Sequence, residues 1–139
     1  MRFPVHRGSV GSARDFVATT LSGQQLDDLV DEGTLLTSEL VANAIIHGLR
    51  GLVDRGLLLR LITTEDTVRI EVRDDSTGLP VVGEPSTDRR SGWGMLLVER
   101  IAADWGVIDD GVGKWVWCEL RRPVLPESVG HSPAGLSPA

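Results

Sequence analysis

The chain holds one cysteine, Cys118, among its 139 residues, which excludes an intramolecular disulfide framework and a multi-cysteine metal site. Cys118 lies in the strand-like stretch Trp115-Val116-Trp117-Cys118-Glu119-Leu120, so it reads as core filler, and a reducing compartment fits. No run approaches the roughly 20 apolar residues needed to span a bilayer, and residues 1–10 lack the apolar region of a signal peptide. A cytoplasmic protein with no membrane partner is expected. Positive charge is also scarce: the formal net charge is -6 and the pI about 5.0. The short pairs Arg89-Arg90 and Arg121-Arg122 are the only cation runs, which argues against nucleic-acid binding. Internal repeats are missing, and so is the regular βαβ alternation of a doubly wound dinucleotide fold.

What is present suits one domain over residues 1–122, followed by a Pro- and Ser-rich tail, 123–139, expected to be disordered. Residues 2–6 predict a short edge strand, since Pro4 is unsuited to a central one. Ser9 or Ser12 is expected to cap a helix through Ala13, Phe16, Val17 and Leu21 that ends at Ser22-Gly23. A second helix is expected from near Gln24, with a break at Gly33-Thr34, before a long buried helix over 35–49. Alternating Val68, Ile70 and Val72 and the apolar run 57–63 predict two antiparallel strands. A long loop over 74–91 has the character of a lid. Met95, Leu96, Val98, Ile101 and Ala102 predict a helix to about Asp104. Residues 105–108 and 114–120 then form a hairpin turned at Asp109-Asp110-Gly111. The expected architecture is an α+β two-layer sandwich: a mixed, mostly antiparallel sheet covered on one face by helices.

Within the buried helix, Glu39, Asn43 and His47 recur at every fourth position and stack on one track. Buried polar groups without partners are costly. The track is either a solvated stripe or a place where Glu39 and Asn43 together offer hard oxygen donors to a hydrated Mg²⁺. Two further motifs bear on that choice. Asp74-Asp75-Ser76-Thr77-Gly78 follows a strand, where a carboxylate can accept from an exocyclic amine and Gly78 allows close backbone approach. Ser91-Gly92-Trp93-Gly94-Met95 opens a helix whose first N–H groups favour anions.

In this order, the segments resemble the GHKL ATPase superfamily, the ATP-binding fold of gyrase, histidine kinases and MutL. Glu39-x-x-x-Asn43-x-x-x-His47-Gly48 resembles its N box, Asp74-x-Ser76-x-Gly78 its adenine box and Gly92-x-Gly94 its phosphate box. The Ser12-Ala13-Arg14-x-Phe16-Val17, Arg90-Ser91-Gly92-x-Gly94 and Lys114-x-Val116-Trp117-x-Glu119-Leu120 segments are most similar to the short bacterial anti-sigma-factor serine kinases.

That resemblance implies the histidine kinase-like ATPase fold, with ATP and Mg²⁺ as cofactors. It implies that Asn43 coordinates Mg²⁺, that Glu39 acts as base or orients the attacking group, and that Arg90 approaches the terminal phosphate. Asp74 would hold adenine and Gly78 would line the base pocket. Ser91, Gly92, Trp93, Gly94 and Met95 would form the phosphate cradle, and His47 would support the pocket. The implied activity is a serine/threonine protein kinase that binds a sigma factor and phosphorylates an anti-anti-sigma (STAS-type) protein. One alternative is a non-catalytic ATP-binding module whose protein interactions depend on nucleotide. Another is an autonomous ATP hydrolase or a detached histidine-kinase catalytic domain. Homodimerisation through Phe3, Val5, Phe16 and Val17 is a further expectation, although those residues serve equally as core.

Overall fold

The computed structural model describes residues 1–48, 56–74 and 93–124. The lid-like loop and the tail beyond 124 lie outside them. Among the described residues five strands form one sheet in the order β1-β2-β3-β5-β4, with every adjacent pair antiparallel. They are β1 (Arg2–Phe3), β2 (Leu57–Thr63), β3 (Thr67–Asp74), β4 (Asp104–Asp109) and β5 (Lys114–Arg121). Among the described residues three α-helices, α1 (Ser9–Gly23), α2 (Val30–Gly48) and α3 (Trp93–Ile101), complete the expected α+β sandwich. As Pro4 suggested, β1 is an edge strand, and it is only two residues long.

Helix α1 buries Ala13, Val17 and Leu21 completely, one residue per turn on a single face. Its start departs from expectation. Neither serine caps it: Gly8 is the N-cap, and the Ser9 hydroxyl donates to the Pro4 carbonyl at 2.7 Å. The helix ends after Gly23, where Gln25 adopts a left-handed conformation with φ of 60°. The Leu26 N–H then reaches back to the Leu21 carbonyl at 2.9 Å, occupying a carbonyl that the helix end would leave open.

The predicted break at Gly33-Thr34 does not occur. A short 3₁₀ turn, Asp27–Leu29, leads directly into α2, which runs through both residues. Gly33 is a point of helix contact, because a Cβ there would lie 2.9 Å from Leu21 Cδ1. The hydroxyls of Thr34, Thr37 and Ser38 donate to the carbonyls four residues back at 2.8, 2.7 and 2.9 Å, so they are satisfied without interrupting the helix. Leu36, Leu40, Val41, Ala44 and Ile45 of α2 enter the core. Each fully buried Leu contributes roughly 1.5–3 kcal/mol of transfer free energy.

Helix α3 stops at Ile101, short of the predicted Asp104. There the Ala103 N–H donates to the Glu119 carbonyl at 2.8 Å and the chain becomes β4. Sheet pairing overrides a helical pattern that would otherwise continue.

Val68, Ile70 and Val72 of β3 and Val116, Cys118 and Leu120 of β5 face the helices and are buried. Cys118 is free, and burial first, then Glu119, push its thiol up to about 12; it is core filler. The opposite face carries Glu71, 4 % exposed. Its carboxylate accepts from the Arg60 guanidinium and lies 3.1 Å from Arg69 Nε. Arg60 stacks on Trp115 and Arg69 on Trp117, with guanidinium-to-centroid distances of 3.9 and 3.7 Å. A carboxylate this buried requires such neighbours. Of the proposed dimer residues, Phe3 and Val17 are core, whereas Val5 and Phe16 are partly buried against it.

Candidate functional site

Helix α2 packs against both β3 and α3, so the three elements that bear the motifs are neighbours. The hydrophobic residues of α2 create this arrangement, since Leu36, Leu40 and Ala44 pull the helix onto the core. Glu39 and Asn43 stand on the neighbouring track of the same helix, four residues apart.

Glu39 is half-buried, and desolvation raises its carboxyl above the ordinary 4.5. Asn43, one helical turn later, is only 9 % exposed, and its Nδ2 has no hydrogen-bond partner among the described residues. An unsatisfied buried amide costs about 1–3 kcal/mol. This arrangement does not resemble a solvated stripe. A half-turn of the amide exchanges Nδ2 for Oδ1, so the same buried end can present a hard oxygen ligand. No group of three or more His, Cys, Asp or Glu side chains among the described residues could hold a metal ion. A Mg²⁺ beside Asn43 would therefore draw most of its ligands from a nucleotide and water, as this ion commonly does. The residues fit that ion. His47 occupies the next turn of α2.

Asp74 is the final residue of β3 and pairs in register with Lys114 of β5. Trp93 and Gly94 lie in the first turn of α3 with Met95, whose side chain is buried. That turn has no acidic residue, so its N–H groups, which lack intrahelical partners, and its positive dipole end face no competing carboxylate from the helix itself. Gly78, Arg90, Ser91 and Gly92 lie outside the described residues. A separate cleft of about 320 Å³, lined by Gln25, Asp28, Glu65, Asp66 and Arg122 among others, contains none of the motif residues. It lies by the turn that precedes β3, at the opposite end of that strand from Asp74.

Two features near the site escaped the sequence reading. Lys114 is 2 % exposed; a lysine at the start of an alternating strand ordinarily signals solvent, and only the three-dimensional layering buries it. The β4–β5 turn is also strongly fixed. Asp109 Oδ1 accepts the Gly111 N–H at 2.8 Å, and Asp110 Oδ1 accepts those of Val112 and Gly113 at 3.1 and 2.9 Å. The Gly113 and Val112 amides, followed by Arg73, hold the Asp110 carboxyl below its usual range. The Asp-Gly sequence had signalled the turn but not its hold on the strand end.

Residues 3–120 match the histidine kinase-like ATPase domain. Similar proteins include the anti-sigma F factor of Geobacillus kaustophilus (strain HTA426), 27 % identical over 135 residues that cover 89 % of this chain and 90 % of the relative. That of Geobacillus stearothermophilus is 28 % identical, covering 88 % of this chain and 89 % of the relative. An anti-sigma F factor of Bacillus cereus (strain AH187) is 30 % identical over a shorter stretch, 62 % of this chain and 66 % of the relative.

Proposed function

The chain belongs to the histidine kinase-like ATPase domain family, and from that membership we propose that it is an ATP-dependent, anti-sigma-factor-type serine/threonine kinase. In this reading it binds a sigma factor and phosphorylates a small anti-anti-sigma protein of the STAS type. The observation that carries the proposal is the α2 track: a buried Asn43 whose amide nitrogen has no partner among the described residues, one turn from a half-buried carboxylate of raised pKa. The relatives named anti-sigma F factor support the sigma-factor partner.

Phosphoryl transfer asks a protein mainly for positioning and charge neutralisation. Asn43 would hold Mg²⁺, which when bound neutralises charge across the phosphates. Glu39 lies one turn from that ligand and would accept the proton of the serine hydroxyl as it attacks. A carboxylate with a raised pKa is a stronger base than an ordinary one, which suits this role. Gly94 and Met95 would offer N–H groups to the phosphates from the start of α3, with Ser91, Gly92 and Trp93 completing the cradle. Arg90 would approach the terminal phosphate, Gly78 would line the base pocket, His47 would support it, and Asp74 would accept the adenine amine.

The test is transfer from γ-labelled Mg²⁺-ATP to a serine of a STAS-type partner encoded nearby. The kinase reading expects labelling that Glu39→Ala reduces by about a hundredfold or more while ATP affinity is kept. Nucleotide-sensitive partner binding with no transfer by the unaltered protein would replace the kinase with a non-catalytic module.

A further inference from the structure

Lysine and arginine are used very unequally: of 14 basic residues, 13 are arginine and Lys114 is the single lysine. It is also among the most deeply buried side chains of the described residues. Strand β5 alternates buried and half-buried positions from Lys114 onward, so Lys114 shares the helix-facing side of the sheet with Val116, Cys118 and Leu120. In the same row, register places Asp74 of β3 on one flank and Asp109 of β4 on the other. Residues directly opposite on antiparallel strands share a face and have Cβ atoms about 4.5–5.5 Å apart. The Asp109 carboxylate is engaged by the Gly111 amide at 2.8 Å.

Taking an ammonium out of water costs several kcal/mol, and a buried lysine accordingly marks a place where its charge is needed or balanced. A cation beside a carboxylate favours the ionised form, and an ionised carboxylate can only accept hydrogen bonds. We propose that Lys114 is the positioning residue of the base pocket: from the row it shares with Asp74, it fixes that carboxylate as an acceptor for the exocyclic amine of adenine. Lys114 thereby sets selectivity for adenine over purines that lack the amine. The guanidinium of an arginine is larger and planar, which accounts for a lysine at this one enclosed position in a chain otherwise built with arginine.

This inference rests on the ATP reading, and the experiment separates the two. Titration calorimetry measures Kd for Mg²⁺-ATP and for the Mg²⁺ complex of purine riboside triphosphate, which lacks the 6-amino group. The unaltered protein is expected to prefer ATP by about tenfold or more, and Lys114→Met to narrow the preference to within about threefold. A role in packing alone would weaken both nucleotides equally and leave the ratio intact; that outcome overturns the inference. Should Lys114→Met not fold, the unaltered protein supplies the readout, because ¹⁵N-lysine labelling yields a single side-chain ammonium signal. ATP is expected to shift that signal and purine riboside triphosphate to shift it much less. A signal unmoved by bound ATP, or moved equally by both, overturns the inference while leaving ATP binding in place. Binding of neither nucleotide by the unaltered protein overturns the ATP reading and this inference with it.

Discussion

Glu39 shows how a single side chain is tuned by its position on a helix. Desolvation raises its carboxyl, so the ionised form is penalised in the folded protein relative to the unfolded chain. Stability is therefore fully present while the group is protonated in both states and declines as pH rises through the raised folded value. Glu39→Gln removes the ionisation while keeping the shape. Thermal unfolding should show the variant more stable than the parent at pH 7, with the difference shrinking toward zero below about pH 4. The same substitution should remove phosphoryl transfer. Opposite signs for stability and activity would identify a carboxylate held in place for chemistry rather than for folding.

At the level of elements, Gly33 is the informative residue. Sequence pattern marks a glycine followed by threonine as a helix break, yet α2 continues because α1 packs there: Leu21 Cδ1 and Val17 Cγ1 lie 2.9 and 3.5 Å from the place a Cβ would occupy. Gly33→Val should force the two helices apart and cost about 1–3 kcal/mol, measurable by urea unfolding. Gly33→Ala gains helix propensity of about 1 kcal/mol, which offsets contact with the flexible end of Leu21 and should leave stability nearly unchanged. The contrast explains what the sequence could and could not disclose. The β2–β3 hairpin was legible from the alternation of β3, and the β4–β5 hairpin from its Asp110-Gly111 turn, because both signals act locally. The continuity of α2, the early end of α3 and the burial of Lys114 depend on what lies across the interface. Likewise, the four-residue spacing of Glu39, Asn43 and His47 revealed their common track, but the burial of Asn43, with an amide nitrogen that has no partner among the described residues, emerged only once α2 was placed against the core.

For the molecule as a whole, site and core share one helix. Leu36, Leu40 and Ala44 anchor α2 in the core, while Glu39 and Asn43 stand on the neighbouring track, so a ligand that binds the folded form should stabilise the entire domain. At a hundred times Kd, Mg²⁺-ATP should add about 2.7 kcal/mol and raise Tm by several degrees, and EDTA should remove much of the gain. A chain whose Tm is indifferent to nucleotide would contradict the assignment of the site.

The Arg–Trp stacks on the far side of the sheet also have an optical consequence. The sequence contains no tyrosine and four tryptophans, so ultraviolet emission comes from indoles alone. Trp115 and Trp117 lie beneath the guanidinium groups of Arg60 and Arg69, Trp105 packs against the core from β4, and Trp93 begins α3. With Trp93 replaced by phenylalanine, the remaining fluorescence reports the integrity of the sheet. The difference spectrum isolates one intrinsic probe at the proposed phosphate cradle, with no attached dye.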